Sequence, residues 1–155
     1  MRQRFGIAQA LIGRPRLIII DEPTAGLDPT ERSRFHNFLA ELGGEAVVLL
    51  STHIVEDVNG LCTDLAIINK GRVVKDGKPN ALKDELNGQL WELTVSRIEA
   101  LDLSKRLIVI STTIEAGEAI FTVEADAAPT EQFAPKSATL EDVYFSSLSK
   151  AQPEN

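Results

Sequence analysis

The 155-residue chain lacks multiple cysteines, long apolar runs and a positive net charge, and each of these absences argues against a class of protein. Its single cysteine, Cys62, excludes a disulfide framework and a zinc site built from paired cysteines. No apolar run approaches the roughly 20 residues that a transmembrane helix needs. The formal net charge of -7 argues against non-specific binding to nucleic acid or anionic lipid, so we expect no nucleic-acid partner.

What the chain does contain is enough apolar material for a core, since 43% of its residues are hydrophobic. Aliphatic runs at residues 17–20 and 46–50 predict buried strands of a parallel sheet. Between them, apolar residues recur at helical spacing at Phe35, Phe38, Leu39 and Leu42. This alternation of strands and helices predicts an α/β layer fold.

The composition shifts near Asn87 and Gly88. Beyond them we predict strands at residues 91–95, 107–110 and 119–123, a linker at 125–135 and a helix at 137–148. We therefore predict two regions, residues 1–88 and residues 89–155. The second region is expected to be a small accessory α+β lobe, and it carries no recognisable chemistry.

Two adjacent carboxylates, Asp21 and Glu22, follow the first aliphatic run directly. Parallel sheets place their chemistry at the carboxyl ends of strands. A carboxylate there suits Mg²⁺, which prefers oxygen ligands and keeps several waters. A second carboxylate beside it can orient or deprotonate an attacking water. For these two residues alone, the alternative of a strand that merely ends in acidic residues stays open.

Asp28 and His53 are the other candidate site residues. Asp28 precedes Pro29, and Glu31 lies three positions further on, which predicts a helix N-cap. His53 ends the segment Ser51-Thr52-His53 directly after the second strand, although a lone histidine is more often structural. The other histidine, His36, lies off the apolar stripe of its helix and is predicted to face solvent.

Several segments together resemble the ABC-type ATPases. Residues 17–29, which read LIIIDEPTAGLDP, resemble the Walker B motif and D-loop of that family. Residues 1–11 resemble the helix that follows its LSGGQ signature, and residues 51–53 resemble its switch-histidine loop. The segment 140–144, LEDVY, resembles the tail motif of exporter-type subunits. The three main elements come in the family order and cover roughly residues 1 to 77.

The resemblance implies a partial P-loop NTPase-type (ABC) nucleotide-binding domain that uses ATP and Mg²⁺. It implies that Asp21 holds Mg²⁺, usually through water, and that Glu22 polarises the hydrolytic water. It also implies that His53 contacts the terminal phosphate and that Asp28 couples two ATP sites across a dimer. The implied partners are a membrane permease subunit and a second ATPase subunit, arranged head to tail, at the cytoplasmic face of the cell membrane and peripheral through the permease.

The family's P-loop string, G-x-x-x-x-G-K-[ST], does not occur in these residues. The expected function is therefore that of an ATP-hydrolysing subunit of an exporter-type ABC transporter, truncated and inactive by itself. The simplest explanation expected for the missing string is a truncated or miscalled gene that starts at an internal methionine. The alternative is a half-protein that pairs with a separate N-terminal partner. Two other functions stay open: a non-transport ABC ATPase, and a non-enzymatic interaction or regulatory fragment.

Overall fold

A computed structural model of the chain describes residues 2–96 and 109–151. The fold is mixed α/β with small sheets, and the chain divides into two compact units, Met1–Cys62 and Thr63–Asn155. The boundary predicted after residue 88 falls inside the second unit and stays a prediction. Within the described ranges, no helix has the length and apolar character needed to cross a membrane.

The first unit alternates helices and strands, as its hydrophobic pattern predicts. Its elements are α1 (Arg2–Leu11), β1 (Leu17–Asp21), α2 (Pro29–Gly43), β2 (Val47–Ser51) and α3 (Val55–Val58). Strands β1 and β2 pair in parallel, with Leu17 opposite Val47 and Asp21 opposite Ser51. The predicted parallel pairing is therefore confirmed, and both strands end at the same edge.

The two faces of the β1–β2 sheet differ in burial. On one face, Ile18 and Ile20 are buried against Phe35 and Leu39 of α2. The prediction that both aliphatic runs are buried throughout is wrong at alternate residues, because successive side chains point to opposite faces and α2 packs against one of them. The other face carries four aliphatic residues that are 53–70% exposed: Leu17, Ile19, Val47 and Leu49.

Helix α3 is short, although Ile54, Val58 and Leu61 recur at the spacing of a longer helix after His53. It ends at Val58, and Asn59 follows in an extended conformation. Gly60 then has a φ of 82°, in the left-handed region that glycine adopts without a steric penalty. Cys62 therefore lies after the helix rather than within it, where it is half-buried.

The second unit is mostly antiparallel. Its elements are β3 (Leu65–Asn69), β4 (Arg72–Gly77), α4 (Pro79–Leu86), β5 (Leu90–Ser96), β6 (Val109–Glu115), β7 (Glu118–Glu124), β8 (Ala134–Pro135) and α5 (Leu140–Lys150). Strands β3 and β4 form a hairpin, which turns at Lys70 and Gly71. The remaining strands form a sheet in the order β6-β7-β5-β8. Residues 107–108 of one predicted strand lie outside the described ranges.

Two features of the second unit differ from the sequence-based expectation. Helix α4 was not predicted, although Pro79 opens it and Leu82 and Leu86 are buried at helical spacing. Residues 134–135, predicted as linker, pair with β5. The predicted C-terminal helix is confirmed as α5, and it begins at Leu140 because Thr139 forms its N-cap.

Candidate functional site

The carboxyl ends of β1 and β2 bring together Asp21 and Ser51. The two residues lie opposite each other in the parallel register, and the Ser51 hydroxyl donates a hydrogen bond to Asp21 Oδ1. Both residues are exposed. The edge of the sheet at which the sequence predicts chemistry therefore presents a carboxylate and a hydroxyl side by side.

Glu22 and His53 meet directly beyond the same strand ends. The backbone N–H of Glu22 donates to the Ser51 carbonyl at 2.9 Å, which holds the first turn against the end of β2. The side chains then approach with His53 Nδ1 at 2.8 Å from Glu22 Oε1. An ionised carboxylate only accepts hydrogen bonds, so Nδ1 carries the proton in this contact whenever Glu22 is charged.

The backbone of Glu22 adopts a left-handed conformation with a φ of 45°. A residue with a Cβ pays roughly 1–2 kcal/mol for that conformation. Hydrogen bonds of the turn offset this cost, since the Glu22 carbonyl accepts from the N–H of Ala25 at 3.3 Å. Left-handed non-glycine residues cluster at functional sites because the surrounding structure must hold them in place. Glu22 is therefore a site candidate on its backbone as well as on its side chain.

Asp28 forms the predicted N-cap of α2. Its side chain accepts a hydrogen bond from the backbone N–H of Glu31 at 2.7 Å, and Pro29 occupies the first helical position. The cap accounts for the residue within this chain. Its implied role across a dimer stays a prediction, because the structure holds a single chain.

A buried carboxylate that the sequence analysis missed lies beside this site. Asp57 of α3 is 1% exposed and accepts hydrogen bonds from the hydroxyls of Thr24 and Thr52, the second at 3.2 Å. His36 Nε2 lies 3.1 Å from its other oxygen, so the prediction that His36 faces solvent is wrong. The overlooked signal is spacing: Asp57 lies three residues after Ile54 and four before Leu61, so helical periodicity places it on the same side as these apolar residues.

Cys62 lies within reach of the same charge. Burial raises the pKa of its thiol, and the nearby negative charge of Asp57 raises this pKa further. Less thiolate is then present at neutral pH, which makes the thiol a poor nucleophile. Cys62 is therefore a structural residue of the first unit.

Asp21 and Ser51 suit Mg²⁺ by their chemistry, since both offer oxygen atoms. Among the described residues, no group of three or more histidine, cysteine or acidic side chains is arranged to hold a metal ion. Mg²⁺ commonly binds through one or two carboxylates and completes its shell with water and substrate phosphates. The donor set at this edge fits such a site, with Asp21 as its carboxylate.

Comparison with known proteins shows which proteins the chain is similar to. No family model matches the chain. Its curated relatives at 34–50% identity are ABC transporter ATP-binding proteins, and the chain aligns with their C-terminal part. The chain is therefore a homologue of the ABC transporter ATP-binding proteins, which implies a P-loop NTPase-type fold.

Three relatives illustrate the match. Nod factor export ATP-binding protein I of Cupriavidus metallidurans is 34% identical over 156 residues, which cover 94% of this chain and 51% of that protein. The protein of the same name from Rhizobium meliloti is 42% identical over 57% of this chain and 27% of its own length. The uncharacterized ABC transporter ATP-binding protein YdbJ of Bacillus subtilis is 50% identical over 47% of this chain and 24% of its own length. At most, the chain spans about half the length of these relatives.

Proposed function

We propose that this chain acts within an ATP-hydrolysing subunit of an ABC transporter of the exporter type. The observation that carries the proposal is the contact of 2.8 Å between Glu22 and His53, directly beyond the strand ends that hold Asp21 and Ser51. The homology to ATP-binding proteins supports ATP as the substrate. Export is supported by two relatives that are named as Nod factor export proteins and by the tail segment 140–144.

In this proposal the chain supplies the groups that act on water and on the terminal phosphate. Glu22 accepts a hydrogen bond from the attacking water and orients it. The Nδ1–H of His53 is directed at Glu22, so His53 faces the phosphoryl group being transferred with Nε2, which donates to it when both ring nitrogens carry protons. Asp21 and Ser51 hold Mg²⁺, which neutralises phosphate charge when it is bound. Since phosphoryl transfer depends mainly on positioning and electrostatics, fixing these side chains is the chain's main contribution.

The proposed partners follow from the family. A second ATPase subunit faces this one head to tail, and Asp28 couples the two ATP sites across that interface. A membrane permease subunit binds the pair and keeps it at the cytoplasmic face of the cell membrane. ATP binding and hydrolysis then close and reopen the pair, and this motion drives the permease.

We expect the 155-residue polypeptide by itself not to hydrolyse ATP. The P-loop string, whose backbone N–H groups and lysine cradle the phosphates, does not occur in it. The relevant assay therefore uses a reconstituted subunit, meaning this chain joined to an N-terminal half that carries the family's P-loop. Phosphate release by the 155 residues alone, above that of its Glu22→Ala variant, would contradict the expectation.

The decisive experiment measures turnover of the reconstituted subunit at saturating MgATP. Glu22→Gln keeps the size of the side chain and removes its charge, so turnover should fall by roughly 10²–10⁴-fold while ATP binding persists. His53→Ala should also slow turnover. The double variant should lose less than the product of the two effects, because both residues act on one transition state. Turnover of Glu22→Gln near the parent rate would remove Glu22 from the mechanism.

A further inference from the structure

The Asp57 carboxylate joins the two segments that carry the proposed catalytic residues. One of its oxygens, Oδ2, accepts hydrogen bonds from the hydroxyls of both Thr24 and Thr52. Thr24 lies two residues after Glu22, and Thr52 immediately precedes His53. A single buried oxygen atom therefore links the turn that follows Glu22 to the loop that contains His53.

The other oxygen of the carboxylate anchors this link to helix α2. Oδ1 lies 3.1 Å from His36 Nε2 and 3.6 Å from Arg32 Nε. Both partners stand on the helix that packs against the β1–β2 sheet. The loop is held locally as well, because Thr52 Oγ1 accepts a hydrogen bond from the N–H of Ile54 at 3.0 Å. Asp57 thus connects two separate segments, the turn after Glu22 and the loop of His53, to helix α2.

The Glu22–His53 contact by itself is poorly suited to hold those segments. The His53 side chain is 77% exposed and that of Glu22 is 35% exposed, so water and salt screen their attraction. Asp57 is 1% exposed, and hydrogen bonds to a shielded charge are shorter and stronger than neutral ones. The contacts of Asp57 are therefore stronger than the Glu22–His53 contact, although Asp57 does not touch the proposed reacting groups.

We propose that Asp57 is a positioning residue that sets the distance and orientation of Glu22 relative to His53. The expected effect on turnover rests on the proposed function, whereas the expected effect on the Glu22–His53 geometry does not. Its rival is a purely structural role, in which Asp57 stabilises the unit without affecting the Glu22–His53 geometry. The two histidines of the chain distinguish these roles, since His36 contacts Asp57 and His53 contacts Glu22.

The first test observes the histidine rings of the 155-residue chain by NMR. Asp57→Asn should shift the ring signals of both histidines and remove most of the cross-peak between the His53 ring and the Glu22 side chain. Glu56→Gln is the matched control, because it removes the same charge from the exposed neighbouring residue of α3 and should change neither. A variant in which only the His36 signals move, with the cross-peak intact, overturns the proposal.

The second test measures kinetics in the reconstituted subunit. A displacement of about 1 Å at a reacting group can cost roughly 10²-fold in rate, so Asp57→Asn should lower kcat by that order with an unchanged KM for ATP. A parental kcat overturns the catalytic part of the proposal. If Glu22→Gln and Asp57→Asn both keep the parental turnover, the proposed function itself fails. The NMR cross-peak then still decides whether Asp57 positions Glu22 relative to His53.

Hydroxyl variants keep the proposal testable if Asp57→Asn does not fold. Thr24→Val preserves the side-chain volume and removes the donor, whereas Thr24→Ser keeps the donor. We expect Thr24→Val to weaken the His53–Glu22 cross-peak and to lower kcat, and Thr24→Ser to retain most of both. Combining Thr24→Val with Thr52→Val should reproduce the effect of Asp57→Asn. Equal behaviour of the valine and serine variants would contradict the inference.

Discussion

The two units of the chain differ in how their strands pair and how completely their apolar side chains are buried. In the first unit, two parallel strands are joined through α2, and one face of their sheet leaves Ile19 70% and Leu49 57% exposed. In the second unit, neighbouring strands pair in antiparallel fashion. Its core includes Leu90, Val123 and Val143, which are only 1–2% exposed. The unit with the less complete core is the one that carries the candidate site.

Two aspartates that are buried in the described part of the chain, one in each unit, illustrate this difference. Asp142 of the second unit is held by Thr139, three residues away, and by Lys136, six residues away. Asp57 of the first unit is held by groups up to 33 residues away in the sequence. The second unit therefore uses a buried carboxylate to begin a helix, whereas the first unit uses one to fix the relative position of distant segments.

The largest expected effect tests the difference between the two cores. Leu90→Ala should lower the free energy of unfolding of the second unit by about 2–5 kcal/mol, because it leaves a cavity in a fully buried site. Leu49→Ala removes the same atoms from an exposed face of the first unit. It should change the free energy of unfolding of that unit by less than about 0.5 kcal/mol. Urea unfolding followed by circular dichroism and by the fluorescence of Trp91, the single tryptophan, measures both. Equal losses would contradict the comparison.

A second prediction concerns the exposed face of the β1–β2 sheet. Contiguous apolar surface promotes association, so we expect the 155-residue chain to self-associate through this face. The double variant Ile19→Lys, Leu49→Lys should lower the apparent mass in analytical ultracentrifugation. The matched control, Ile68→Lys with Val73→Lys, places the same charges on an exposed cross-strand pair of the second unit and should leave association unchanged. A parent chain that stays monomeric would refute the prediction.

The smallest expected effect is a pH dependence confined to the first unit. The pKa of Cys62 is raised above its ordinary value of 9.0, first by burial and then by the charge of Asp57. The thiol of the unfolded chain therefore ionises at lower pH than that of the folded chain. Its contribution to stability is fully present below the ordinary value and is lost as the pH rises through the folded pKa.

Urea unfolding at increasing alkaline pH measures this contribution. The parent chain should lose more stability between neutral pH and the alkaline range than Cys62→Ala, which has no thiol to ionise. The fluorescence of Trp91 should report no such difference, since the second unit contains no cysteine. A steeper loss in Cys62→Ala than in the parent would mean that the sign is wrong.

The elements that could be predicted from the sequence are those set by local patterns. The strands β1 and β2, the helix α2 between them and the hairpin turn at Lys70 and Gly71 follow from hydrophobic period and turn residues. The cap formed by Asp28 needed only the residues up to Glu31. The resemblance of residues 17–29 and 51–53 to one family also required no tertiary structure.

The features that could not be predicted depend on which segments meet. A run of four aliphatic residues has the same pattern whether one or both of its faces are covered, so the exposure of Leu17 and Ile19 required the packing of α2. The pattern of α2 by itself predicts that His36 faces solvent, because His36 lies off the apolar stripe of that helix. Its partner on α3 lies 21 residues further along the chain.

The sequence by itself determined the order β1-α2-β2 in the first unit, the helix cap at Asp28 and the candidate residues Asp21, Glu22 and His53, because short-range sterics, hydrogen bonds and hydrophobic period act over a few neighbouring residues. The tertiary structure alone decided the contact between Glu22 and His53 and the link that Asp57 makes between their segments. These contacts join residues 31 and 33 positions apart. They form only after parallel pairing has brought the ends of β1 and β2 to one edge, and no local pattern encodes that distance.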